Sequence, residues 1–282
     1  MRLTKQEIAD IVQPYKVPNL YKYRSFANKD FKRTFTHQEL YFARPAQFND
    51  PFDCKPKLKT SLTIEEKRVF LKSVVSFELP NAGRPIIDAW VKKGLENKEL
   101  FEPDTLNELF NKMVNLTGIY SLSEVNDDIL MWAHYASSHT GFCLEFNCDN
   151  QNSLFSQALK VRYQDEIPFL DPLQFGEEVI QFLDAFTIKS KHWAYEKERR
   201  IFKDETEGGP GVYRFQSEML KGVILGSRIR QKDEDLIQSL IEHYPAPVEL
   251  YRAVENSEEF KIDVVPNKLL RADSLKGISL RK

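Results

Sequence analysis

Two glutamates and an arginine at alternate positions are the most chemically suggestive feature of this 282-residue chain: Glu196, Glu198 and Arg200, within WAYEKERRIF at 193–202. In a strand, residues two apart share a face, so both carboxylates, about 7 Å apart, and the guanidinium would point one way. Such a group suits stabilisation of an oxocarbenium-like charge beside an oriented sugar hydroxyl or nucleophile. On a helix the same pair would splay by about 200°. An edge strand charged on its solvent face to prevent sheet-to-sheet association would carry the same pattern.

Four further groups stand out. Ser121 and Ser123 flank Leu122 at strand spacing, and two hydroxyls on one face can hold a carboxylate or a ribose. In Tyr21-Lys22-Tyr23-Arg24 the aromatics take one face and the bases the other; Arg24 could bind a phosphate or carboxylate, and a Tyr could stack on a ring. An ordinary strand with buried Tyr and exposed base would read the same. Met131, Trp132 and Tyr135 have core-like helical spacing. His134 and His139 are five apart and make a poor metal pair on a helix. Asn49, Asp50 and Asp53, around Pro51, read as a polar turn packed beside a pocket, not as metal ligands.

These residues must be positioned by strands expected at 20–26, 40–43, 118–123, 141–146, 159–163, 199–203, 212–215, 222–225, 248–253 and 260–265. Helices are expected at 127–138, 173–191 and 233–244. A short helix opens at Thr4, three residues before Glu7, and ends at Pro14. Thr63 and Glu66 form a second capping box, which begins an all-helical insertion at about 63–116 within one domain spanning 1–282. Adjacent runs of strands with irregularly placed helices imply an α+β fold with a mainly antiparallel or mixed sheet. The absence of G-x-G-x-x-G, G-x-x-x-x-G-K and H-E-x-x-H removes the common dinucleotide-fold, P-loop and zinc-protease readings.

Forty Lys plus Arg against 42 Asp plus Glu leave a net charge of −2, which gives no global reason to coat nucleic acid or an anionic membrane. No apolar run approaches the roughly 20 residues of a bilayer span, and three cysteines without C-x-x-C fit a reducing compartment. A cytoplasmic protein with no membrane partner is expected. Twenty Phe suggest a Phe-rich core.

Together YKYRSF, LYFARPAQFNDPFD, GIYSLS, ILMWAHYASSHTGFCLEF, KHWAYEKERRIF and GVILGSRI resemble, in order and spacing, the bacterial domain-of-unknown-function 2971 family. That family's name conveys no activity. The succession of an aromatic-Arg strand, a Ser-x-Ser strand and a Glu-x-Glu strand also resembles the ADP-ribosyltransferases. This second resemblance implies a split β-sheet whose cleft takes NAD as co-substrate without a Rossmann turn or a metal. Arg24 and Tyr23 would then meet the dinucleotide, Ser121 and Ser123 would support the site, and Trp132 or Tyr135 would lie near the nicotinamide. Glu198 would be catalytic and Glu196 would assist the acceptor, an unknown protein or nucleic acid. A toxin or phage-defence effector, kept in check by an antitoxin or regulatory partner, is the role this implies. A non-catalytic binding or regulatory domain, and a metal-dependent nuclease using Asp50, Asp53 and the glutamates, remain as alternatives.

Overall fold

The computed structural model describes residues 17–79, 81–148, 153–171 and 179–267. The helix expected to open at Thr4 lies outside them. The strands are β1 Asn19–Arg24, β2 Glu39–Phe42, β3 Lys57–Leu58, β4 Gly118–Ser123, β5 Phe142–Asn147, β6 Leu159–Lys160, β7 Arg162–Gln164, β8 Phe169–Leu170, β9 Ile188–Ser190, β10 Glu198–Lys203, β11 Gly211–Arg214, β12 Leu220–Leu225, β13 Glu249–Glu255 and β14 Ile262–Pro266. The helices are α1 Lys32–Thr36, α2 Ile64–Glu78, α3 Arg84–Glu96, α4 Pro103–Val114, α5 Ile129–Tyr135, α6 Val179–Thr187 and α7 Gln231–Glu242.

Eight strands form one sheet in the order β14-β13-β12-β5-β1-β4-β10-β6, antiparallel except for β12 and β13, which run parallel and are joined through α7. This is the mixed α+β fold that the order of elements implies. Alternation along the central strands divides the core. On one face Leu20, Tyr120, Leu122, Phe142, Leu144 and Phe146 pack with Phe35 of α1 and Ile237 of α7. The opposite face packs Tyr23, Cys143, Ile224 and Ala253 with Met131 and Trp132 of α5. Phenylalanines dominate the first layer, with Phe146 and Phe155 stacked at 4.2 Å, as the composition suggests.

Helices occupy most of 63–116. Thr63 Oγ1 accepts the Glu66 amide at 3.2 Å and Glu66 Oε2 accepts the Thr63 amide at 2.7 Å, so the capping box is formed and α2 starts there. Leu71, Val91, Phe101 and Leu106 make a small core for these helices.

Several local expectations are corrected. The strand expected at 159–163 breaks at Val161, whose amide bonds Glu198 O at 3.0 Å; β6 pairs with β10 whereas β7 leaves to pair with β9. Of the helix expected at 173–191, residues 172–178 lie outside the described set, and α6 gives way at Ile188 to β9. The helix expected at 127–138 stops at Tyr135. Ser137, Ser138 and His139 follow with φ of 48°, 54° and 69°, three successive left-handed residues that L side chains adopt only at a cost. The turn is held by bonds from Gly141 N to Ala136 O and from Arg228 N to His139 O.

One feature of the sheet creates a cleft. β1 pairs with β5 at six positions but with β4 only at Tyr21↔Ser123. Nearer its start, β4 is bridged instead by Ala43, just past β2, with two 2.9 Å bonds between Ala43 and Ile119. β1 and β4 therefore fork.

Candidate active site at the strand fork

The fork opens into a cleft of about 480 Å³, within the range usual for small-molecule sites. Lys22, Tyr23 and Arg24 of β1 line it, with Ser121 and Ser123 of β4, Asn49 and Asp53 of the turn after β2, His134 and Tyr135 of α5, and Lys189, Glu196 and Glu198. Residues far apart in sequence are thus brought to one concavity, which passes through the fork: the registers put Ser121, Ser123 and Glu198 on the face of Tyr21 and Tyr23, and Lys22 and Arg24 on the opposite face with Phe142 and Leu144.

The floor is a buried ionic cluster. Arg200 donates Nε and Nη2 to Glu198 at 2.7 and 2.9 Å, and Nη1 and Nη2 to Asp53 at 2.8 and 2.6 Å. Lys189 Nζ donates to Glu196 at 2.6 Å and to Glu198 at 3.0 Å, with Asp53 3.6 Å away. Three carboxylates meet two cations, which leaves one excess negative charge. Burial by itself would raise the Glu198 carboxyl, but Arg200 and Lys189 reverse this and hold it well below the usual range, helped by the Ser121 side chain. For Glu196 burial prevails over Lys189 and the carboxyl is raised. Burial opposes the charge on Lys189, yet Glu198 and Glu196 outweigh it and raise that amine. The neighbouring carboxylates are thus shifted in opposite directions, Glu198 down by its two cations and Glu196 up by burial.

Glu196 is not on the strand that its two-residue spacing suggests. It ends a 3-10 turn over Lys191–Glu196, and Lys197, at φ 42°, turns the chain into β10. Glu198 and Arg200 keep the shared face, pairing with Ser123 and Ser121. Lys189, rather than strand geometry, joins the two carboxylates. Nor is β10 a charged edge: it lies between β4 and β6, and Glu198, Arg199 and Arg200 are buried.

Ser123 donates to Glu196 O at 2.6 Å and accepts the Val125 amide at 3.1 Å, so its hydroxyl ties β4 to the 3-10 turn. Tyr135 donates to Glu196 Oε1 at 2.5 Å, and Asn49 Nδ2 approaches the Tyr135 hydroxyl at 3.4 Å. Tyr23 donates to Val125 O at 3.0 Å. Trp132 does not reach the cleft; it is fully buried, edge-on to Tyr23 at 5.1 Å, with Nε1 bonded to Asn126 O. His134 bonds Tyr195 at 2.9 Å, while His139 lies parallel to Trp132, its basicity lowered by burial. Asp50 accepts the Phe52 amide in its own turn, and both Asp53 oxygens face Arg200.

The bases of β1 are not on open solvent. Lys22 Nζ donates to Ser121 O at 2.5 Å and lies 4.8 Å from the centre of the Tyr120 ring. The Arg24 guanidinium lies 5.9 Å from the same ring, and its Nε has no hydrogen-bond partner. Sequence reasoning missed Lys189 because a helix was expected to run through it. The alternation in Thr187-Ile188-Lys189-Ser190 is the signal for the short strand that aims Lys189 inward.

Residues 131–201 match a family model described as Protein of unknown function (DUF2971). The resemblance to that family is borne out over this segment, which contains most of α5, the left-handed turn and the Lys189–Glu196–Glu198–Arg200 cluster. No curated protein and no solved structure matches the chain. Among the described residues no helix is long and apolar enough to cross a membrane.

Proposed function

We propose that the cleft binds NAD and that the protein transfers ADP-ribose to a macromolecular acceptor. The observation that supports this reading is that Ser121 and Glu198, from one face of the sheet, and Arg24, from the other, line one cleft where the sheet forks between β1 and β4. A dinucleotide needs an anion anchor at one end and a carboxylate at the ribose, and Arg24 and Glu198 supply them. Tyr23 and Tyr135 provide aromatic walls.

In this mechanism the bond between nicotinamide nitrogen and C1′ breaks, and its electron pair leaves with nicotinamide. Glu198, kept anionic by Arg200 and Lys189, stabilises the cationic ribose. The acceptor's lone pair then bonds to C1′ while its proton passes to Glu196, whose raised carboxyl suits a general base. Tyr135, bonded to Glu196, orients that carboxylate.

Nicotinamide release from NAD, with and without candidate protein or nucleic-acid acceptors, tests the reading. Glu198→Gln should lower release by about 100-fold or more while ADP-ribose still binds, and Arg24→Ala should weaken NAD binding by about tenfold. Turnover unchanged by Glu198→Gln would place the chemistry elsewhere. NAD binding without release under all conditions would favour a binding or regulatory module, a second reading supported by the occupation of Glu198 by Arg200 and Lys189.

A further inference from the structure

We infer that Lys22 and Arg24 form a phosphate-binding site at the strand fork. This names the anchor within the proposed dinucleotide cleft and rests on that reading for the identity of the ligand, but not for its charge.

Where β1 leaves β4, Lys22 spans the opening to reach Ser121 O, and Arg24 follows on the same face of the strand two residues later. Both line the cleft. Neither has a carboxylate within ion-pair distance among the described residues, and Arg24 Nε is enclosed without a formed hydrogen bond, beside the Tyr120 hydroxyl. The contrast is with Lys189 and Arg200, a few residues away around the cleft, whose charges are matched by Asp53, Glu196 and Glu198. Holding two half-buried cations side by side without a counter-ion carries a cost. An anion with several acceptor oxygens removes that cost, since a guanidinium fork and an ammonium together match a phosphate.

The groups around Lys22 set the coupling. Burial and Arg24 on its own strand disfavour its charge; Glu198 of β10, Glu196 of the 3-10 turn and the buried Cys143 thiol of β5 act weakly the other way, and the balance lowers the amine to about 7. Tyr120 of β4 contributes a ring face beneath it. Without a ligand, Lys22 is therefore largely neutral in mildly alkaline solution. A phosphate would restore its charge, so binding takes up a proton and weakens as the pH rises above about 7.

Calorimetry of ADP-ribose binding at about pH 8, in two buffers of different ionisation enthalpy, reads this directly, because the ADP-ribose pyrophosphate does not itself titrate there. Wild-type protein should take up close to one proton per ligand. Lys22→Met, which keeps the length of the side chain, should take up almost none and bind about tenfold more weakly. Acylation of Lys22 in the wild-type protein, followed by mass spectrometry, needs no variant: ADP-ribose or inorganic sulfate should slow it by about tenfold. Protection by sulfate without any binding of ADP-ribose would uphold the anion site and remove the dinucleotide. Failure of both anions to protect Lys22, or proton uptake unchanged in Lys22→Met, would overturn the inference, whereas absence of nicotinamide release would leave it standing.

Discussion

Arg200 and Asp53, 147 positions apart in the sequence, face each other through two parallel hydrogen bonds of 2.8 and 2.6 Å at the bottom of the cleft. Both are almost wholly buried. This paired contact ties the turn after β2 to β10, and with it the wall of the cleft that carries Asn49 to the wall that carries Glu198.

Asp53→Asn should therefore destabilise the protein by about 3 kcal/mol, because the amide puts an N–H donor where Asp53 accepts from the buried Arg200 guanidinium and the paired contact is lost. Urea unfolding measures this. A loss below about 1 kcal/mol would mean that Glu198 alone compensates Arg200.

The pH dependence of stability should separate the two glutamates. The carboxyl of Glu196 is raised above its ordinary 4.5 by burial, so the folded state binds its proton more readily, and the protein loses stability as pH rises through that window. Glu196→Gln, which carries no charge, should match wild type at low pH and become the more stable of the two above the raised value. Glu198 has the opposite sign: its lowered carboxyl contributes stability above the ordinary 4.5 that is lost as pH falls. Urea unfolding at a series of pH values decides; a Glu196→Gln protein less stable than wild type at neutral pH would contradict the raised carboxyl.

Gly141 connects the fold to Arg24, the proposed anion anchor. A Cβ there would lie 2.2 Å from Arg24 O and 2.9 Å from Ala136 O, both backbone atoms. Gly141→Ala should cost about 3 kcal/mol by thermal or urea unfolding, since neither neighbour can turn aside. Because the relief must come from moving the end of β1, ADP-ribose affinity should fall as well. A variant with wild-type stability and affinity would refute this coupling.

The local chemistry of the chain was legible without a structure. The capping box at Thr63 and Glu66, the strand at Gly118–Ser123 and the bulk of the remaining strands follow from side-chain preferences and alternation, which act over a few residues. So did the candidate residues Arg24, Ser121, Glu196 and Glu198, picked out by their types and spacing. What tertiary structure alone decided was how they meet. The fork between β1 and β4 depends on which carbonyls and amides pair across the sheet. The departure of Glu196 from the strand turns on the left-handed Lys197, which its flanking charged residues do not announce. Lys189 looked like part of a helix until β9 paired with β7 and pointed it at two carboxylates. Nothing near Asp53 in the sequence says that its partner is Arg200. Pairings of this kind are selected by the free energy of burying charge and apolar surface together, a property of the assembled chain and not of any short segment.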